Sequence, residues 1–244
     1  MSSPRVQAVL FDLDDTLIDF QYSRRHGLRA VQELLPALAP VPIEELELVH
    51  DEQLHANYLR TLDGSLSDDE ARLERMRGIC ARYGVHAEER AVSEAAAAYA
   101  REQQSNARLV PGVPGLLEAL RGRVKIGVVT NGPSARQRGK LESFDIRPDG
   151  LDALAISGEV GAAKPDPAIF RHALAGLDAA PERVTMIGDS WENDVLGALG
   201  CGLAAVWLNR YRLTCPDPGR AVEIRGFAPA EDILRVLGVP ASQG

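Results

Sequence analysis

VQAVLFD at residues 6–12, continued by LDDTLID at 13–19, is the stretch whose reading decides the fold. An apolar run of this kind reads as a buried strand, and it ends on an acid. Asp12 and Asp14 stand two apart at the point where strand gives way to loop, and Thr16 follows two further on. Like charges this close repel unless a cation lies between them, so the spacing suggests a metal site. Alternate residues of an extended chain point opposite ways. One carboxylate can then face a metal and a reacting atom while the other approaches from the side. A carboxylate can also attack as a nucleophile and form an acyl-phosphate.

Working outward, four more runs share the character of the first: VKIGVVT at 124–130, ALAIS at 153–157, VTMIG at 184–188 and LAAVWLN at 203–209. Runs that are apolar on both faces suit a parallel sheet covered on both sides. Helical patterns separate most of them, at 113–121, 166–177 and 192–200, and a weaker strand and helix at 222–225 and 229–238 complete the edge. The alternation predicts an α/β fold, a doubly wound parallel Rossmann-like sheet. Residues 20–107 break it. Leu28, Val31, Leu35 and Leu38 follow helical spacing, as do Ile43, Leu46 and Val49, with Pro40 and Pro42 between the two sets. Ser67 with Glu70 three residues later predicts a helix start, and 93–104 is rich in strong helix formers. The expected organisation is a core from 1–19 and 108–244 with a helical domain inserted at 20–107.

Bulk properties narrow the classes of function. The chain has 244 residues, 45% hydrophobic and 25% charged, an ordinary globular composition. Its formal net charge of −8 opposes broad nucleic-acid binding, which needs a basic face, while leaving a small anionic substrate open. Three scattered cysteines and five scattered histidines form no disulfide framework and no zinc pattern. With no signal-peptide pattern and no membrane-length apolar run, the expected location is the cytoplasm, away from the membrane. Oligomeric state has no signature in the sequence.

Three further chemical signals each follow a later run. Thr130 ends the second run and is followed by Asn131 and Gly132, a hydroxyl and backbone N–H groups able to hold phosphate oxygens. Lys164, stiffened by Pro165, offers an ammonium that could neutralise a transferring phosphoryl group, while Asp166 is expected to cap the next helix. GDSWEND at 188–194 places Asp189 at a strand end and Asp194 five residues on, either as a second ligand or as a group that caps and orients its neighbours. All four signals fall at carboxyl ends of strands, where open parallel sheets bind ligands.

Together, Asp12-Leu13-Asp14-Asp15-Thr16, Thr130, Lys164 and the Asp189-to-Asp194 segment resemble, in order, the four motifs of the haloacid dehalogenase-like (HAD) hydrolases. The resemblance spans about residues 6–210, and the inserted helices are similar to that family's four-helix cap. It implies a phosphatase in which Asp12 is the nucleophile and Asp14 the general acid and base. It also implies Mg2+ held by Asp12, the Asp14 carbonyl, Asp189 and Asp194, directly or through water. Thr130, the Asn131 amide and Lys164 would grip the phosphoryl oxygens of a small phosphomonoester. Asp14 disfavours dehalogenation, because halide departs without a proton. Asp15 is expected to be solvated or locally hydrogen-bonded, and Thr16 to support the turn. TNG and KPDPxIF resemble the branch with nucleotide and acylneuraminate-9-phosphate phosphatases, and phosphoglycolate phosphatases are also similar. A phosphosugar mutase and a non-catalytic phosphate-binding module are the rival readings. In the insertion, Phe20, Tyr22, Arg24, Arg25, His50, His55 and Tyr58 are candidate substrate contacts, with Arg24 and Arg25 expected to be exposed helix charges.

Overall fold

The computed structural model describes residues 6–146 and 150–240. In chain order the main elements are β1 (Ala8–Phe11), α1 (Phe20–Leu34), α2 (Ile43–Leu62), α3 (Asp68–Arg82), α4 (Glu89–Ser105), α5 (Val113–Leu120), β2 (Lys125–Thr130), α6 (Ser134–Ser143), β3 (Ala153–Ile156), α7 (Ser157–Val160), α8 (Pro167–Leu177), β4 (Val184–Gly188), α9 (Gly197–Gly200), β5 (Ala204–Leu208), β6 (Val222–Ile224) and α10 (Ala230–Val236). They form two compact units, one running up to Ile18 and resuming at Leu109, the other Asp19–Arg108.

In the first unit six strands make one sheet in the order β3-β2-β1-β4-β5-β6, every pair parallel. The pleat explains why these strands read as unbroken apolar runs. Ala8 and Leu10 face one layer, with Met186, Trp207 and the α8 residues Ile169, Phe170, Ala173 and Leu177. Val9 and Phe11 face the other, with Ile187, Val206 and the α5 residues Val113, Leu116 and Leu120. Both faces are dry, so neither phase of the period-2 pattern is polar. Each large side chain buried in this way contributes about 1.5–3 kcal/mol. Winding proceeds from β1 through β2 to β3 on one side and through β4, β5 and β6 on the other, so the direction reverses between β1 and β4. Phe11 pairs with Val128 and with Ile187, which brings the ends of all three central strands within two residues of one another.

The second unit packs α1 to α4 around Leu28, Val31, Leu46, Met76, Ile79, Val92, Ala95 and Tyr99. Gly27 lets α1 and α4 approach closely: a Cβ there would lie 2.7 Å from the Tyr99 ring. Ser67 and Glu70 form the expected capping box on α3. Asp19 and Arg108 tie the two ends of this unit together. The Asp19 N–H donates to the Arg108 carbonyl at 2.9 Å, and Nε and Nη2 of Arg108 donate to Asp19 Oδ2 at 2.9 and 2.7 Å.

Two helices depart from the sequence pattern. Leu35 and Leu38 are buried as their spacing requires, but α1 stops at Leu34 and a single 3-10 turn covers Pro36–Leu38. Pro36 has no N–H to donate and disfavours α geometry in the residue before it. The expected helix at 192–200 opens as a π turn, Trp191–Leu196, before α9. Among the described residues no helix is long and apolar enough to cross a membrane.

Candidate active site

Asp12 follows β1, and its N–H donates to the Ile187 carbonyl of β4 at 3.0 Å, which fixes the carboxylate beside the end of that strand. Asp189 follows β4, and Asp194 sits in the π turn. One carboxylate oxygen from each of Asp12, Asp189 and Asp194 lies within 4.8 Å of the others. Lys164, buried between β3 and α8, donates its ammonium to Asp12 Oδ1 and, at 2.6 Å, to Asp194 Oδ1. Four side chains from three segments distant in sequence therefore meet at the point where the sheet's winding reverses.

Local structure holds them there. Gly188 ends β4 because nothing larger fits: a Cβ would lie 2.2 Å from Asp194 Oδ2. That oxygen accepts the Ser190 N–H at 3.0 Å, and the Ser190 side chain accepts from the Asn193 N–H at 3.2 Å. The wider π turn carries Asp194 back over the strand end, with the Val195 N–H donating to the Ser190 carbonyl at 3.2 Å. Trp207 Nε1 donates to the Asp189 carbonyl at 2.8 Å, and Trp191 packs edge-on against Trp207 at 5.2 Å. Thr16, fully buried, reaches Asp189 Oδ1 at 3.4 Å, so it supports more than its own turn.

The electrostatics call for a cation. Burial pushes Asp12 up from the ordinary carboxylate range to about 7; Lys164 pulls it back, and Asp194 and Asp14 raise it further. Burial likewise raises Asp189 well above its ordinary value, with Asp12 and Asp194 adding to the effect. Burial alone would lower the pKa of Lys164, yet the attraction of Asp12 and Asp194 holds its ammonium above the ordinary value. Ionised together, three carboxylates against one ammonium would leave an excess of negative charge in a low-dielectric pocket. An all-oxygen donor set with that excess fits a hard divalent ion such as Mg2+.

The other expected residues surround this cluster. Asp14 turns its carboxylate away from it, to Lys140 Nζ at 2.7 and 2.6 Å and to Gln137 Nε2 at 3.1 Å. Thr130 Oγ1 accepts from Gln137 Nε2 at 2.6 Å, which leaves its own hydrogen to donate. The Asn131 side chain is spent on the backbone of Lys164, accepting its N–H at 2.8 Å and donating to its carbonyl at 3.0 Å. Asp15 adopts φ 59°, a left-handed conformation that aspartate tolerates, and its carbonyl accepts from Arg210 at 3.3 Å. Asp166 caps α8 as expected, accepting the Ala168 N–H at 2.8 Å.

Gln137, Lys140, Ser190 and Arg210 were not singled out by the sequence reading. For the first two, a local signal existed: a polar pair at i, i+3 just after the Thr130-Asn131-Gly132 turn.

In the helical unit the expected exposure of Arg24 is corrected, while Arg25 stays partly exposed but is held in an ion pair. Arg24 is buried and donates to Asp51 at 2.5 Å, and Arg25 makes a two-pronged pair with Glu47, 2.9 Å at its closest. Both tie α1 to α2, because Glu47 and Asp51 lie one helical turn apart on the facing side. His50 is buried and stacks on Tyr99, ring centres 5.2 Å apart, whereas His55 is exposed. Tyr22 covers the Arg108 guanidinium, 3.2 Å from its ring centre.

The haloacid dehalogenase-like hydrolase family matches residues 6–202 of this chain. The chain belongs to that family. N-acylneuraminate-9-phosphatase of Mus musculus is 32% identical to this HAD hydrolase over 251 residues, covering 99% of this chain and 95% of the relative. Pyrimidine 5'-nucleotidase YjjG of Escherichia coli is 47% identical over 110 residues, covering 44% of this chain and 48% of the relative, so that match spans about half of each protein. Among solved structures, the HAD hydrolase YfnB of Bacillus subtilis, crystallised with magnesium, superposes with a TM-score of 0.70 at 24% identity, covering 97% of this chain and all of YfnB. At that identity the likeness concerns the fold alone.

Proposed function

We propose that this HAD hydrolase is a Mg2+-dependent phosphatase of a small phosphorylated metabolite, acting through an aspartyl-phosphate on Asp12. The observation that carries the reading is the meeting of Asp12, Asp189 and Asp194 around the Lys164 ammonium at the sheet's switch point. Asp12, Asp189, Asp194 and the Asp14 carbonyl would hold the metal, which when bound supplies positive charge to the phosphoryl oxygens. Lys164 orients the Asp12 carboxylate through Oδ1 and adds a second positive charge beside it.

A carboxylate oxygen of Asp12 attacks phosphorus. The bond from phosphorus to the ester oxygen breaks as Asp14 delivers a proton to that oxygen. Water then attacks the phosphorus, Asp14 accepts its proton, and Asp12 is regenerated as phosphate leaves. The Thr130 hydroxyl and the Asn131 backbone N–H donate to phosphoryl oxygens, since the Asn131 side chain is already committed.

The two sequence relatives are named for a sugar-acid phosphate and for nucleotides. Their common chemistry is hydrolysis of a phosphomonoester on a small polar molecule, and the substrate class is assigned at that level. Purified protein with Mg2+, assayed for phosphate release across sugar phosphates, nucleotides and phosphorylated acids, should turn over at least one class and lose that activity on chelation. Turnover of none would favour a phosphate-binding module. Transfer of the phosphoryl group within one sugar, without release, would favour a mutase.

A further inference from the structure

We propose that Gln137 and Lys140, on one face of α6, are positioning residues for Asp14. The inference rests on the phosphatase reading above and deepens it. The two residues are three apart, so they stand side by side on the helix. Lys140 contacts both oxygens of Asp14, at 2.7 and 2.6 Å, which fixes the plane of the carboxyl group as well as its direction. Gln137 adds a third contact at 3.1 Å and joins Asp14 to the end of β2 through Thr130 Oγ1 at 2.6 Å and the Asn131 carbonyl at 3.0 Å. One amide nitrogen thus links the group that hands over the proton to the strand end that holds the phosphoryl oxygens.

The Gln137 side chain is oriented by these acceptors. Flipping its amide would set oxygen against the Asp14 carboxylate and the Asn131 carbonyl. In the orientation adopted, Gln137 is buried with its Oε1 lacking a hydrogen-bond partner among the described residues. A glutamine that served only to fill space would satisfy both ends. The division of cations points the same way. Lys164 serves Asp12 and Asp194, while Lys140 holds Asp14 apart from that cluster. Asp14 therefore keeps a fixed place beside the metal carboxylates without joining them.

The test separates positioning from support. In a two-step mechanism kcat/KM reports events up to departure of the leaving group, and only poor leaving groups need a proton there. Wild type, Lys140→Met, Lys140→Arg and Gln137→Leu would be assayed with Mg2+ on an alkyl phosphomonoester and on p-nitrophenyl phosphate. Lys140→Met should raise the aryl-over-alkyl ratio of kcat/KM by about tenfold or more, and Lys140→Arg should recover part of it. Equal losses on both esters, or none, in a folded Lys140→Met protein would overturn the inference while leaving the phosphatase reading intact. Gln137→Leu replaces a buried side chain, so the partly exposed Lys140 carries the decision if that variant fails to fold. Wild type inactive on both esters and on every sugar phosphate, nucleotide and phosphorylated acid named above would overturn the phosphatase reading and this inference with it.

Discussion

At the scale of single residues the site is a problem of crowded charge solved by geometry. Asp12, Asp189 and Asp194 stay close because Lys164 lies between two of them and a divalent ion suits the remainder. The narrowest tolerance is at Gly188, where the Asp194 carboxylate rests on the bare Cα. Gly188→Ala should displace Asp194 from Lys164 and from the Ser190 N–H. It should lower kcat/KM by at least about tenfold, or ~1.4 kcal/mol of barrier, with the circular dichroism spectrum retained. Activity within twofold of wild type would show that Asp194 has room to move. Asp12 and Asp189 were legible as candidates because each directly follows an apolar run at a strand end, and Lys164 and Asp194 because they lie in the segments leading on from such runs. Lys140 was not, since the polar i, i+3 pair that it forms with Gln137 does not by itself point to a partner 126 positions away.

At the scale of elements, the strands were legible because a parallel sheet covered on both faces demands apolar residues in both phases of the pleat. The polar helix α6 was missed for the converse reason. It buries only Gln137 and Leu141, so no apolar stripe marks it. The π turn also escaped notice, because its wider hydrogen bonding changes where Asp194 points without changing the residues that look helical. The start of α3 was readable, since its signal is chemical and local. The Ser67 side chain accepts the Glu70 N–H at 3.3 Å, and Glu70 accepts the Ser67 N–H at 2.9 Å. Ser67→Ala should cost about 1 kcal/mol in urea unfolding followed by circular dichroism. An unchanged midpoint would mean that packing alone sets the start of this helix.

At the scale of the whole molecule, one buried group in each unit couples stability to acid, and the two couple with opposite signs. Burial holds His50 down to about 4, opposed by its bond to Asp51 and reinforced by Arg75 and Arg24, with Tyr99 stacked on its face. The unfolded chain takes up that proton first, near an ordinary value of 6.5. The stability that His50 contributes is complete above that value and is lost as pH falls towards 4. Asp12 acts in reverse. Its raised value means that metal-free stability is fullest in acid and is lost as pH rises through about 7. Comparing wild type with His50→Phe, which keeps a ring against Tyr99, isolates the first effect. Between neutral pH and about pH 4.5 the wild type should lose about 2–3 kcal/mol more than the variant. Equal losses would show that His50 is protonated inside the bundle without cost. Both tryptophans lie in the first unit, so their fluorescence follows its unfolding separately from the helical signal.

The most direct measurement of the central claim is a rapid acid quench during turnover with Mg2+, followed by mass spectrometry of the digested protein. The account predicts a phosphoryl adduct on Asp12, formed and lost with substrate and absent from an inactive Asp12→Asn variant. Phosphate released with no adduct on Asp12, or with the adduct on another residue, would contradict it.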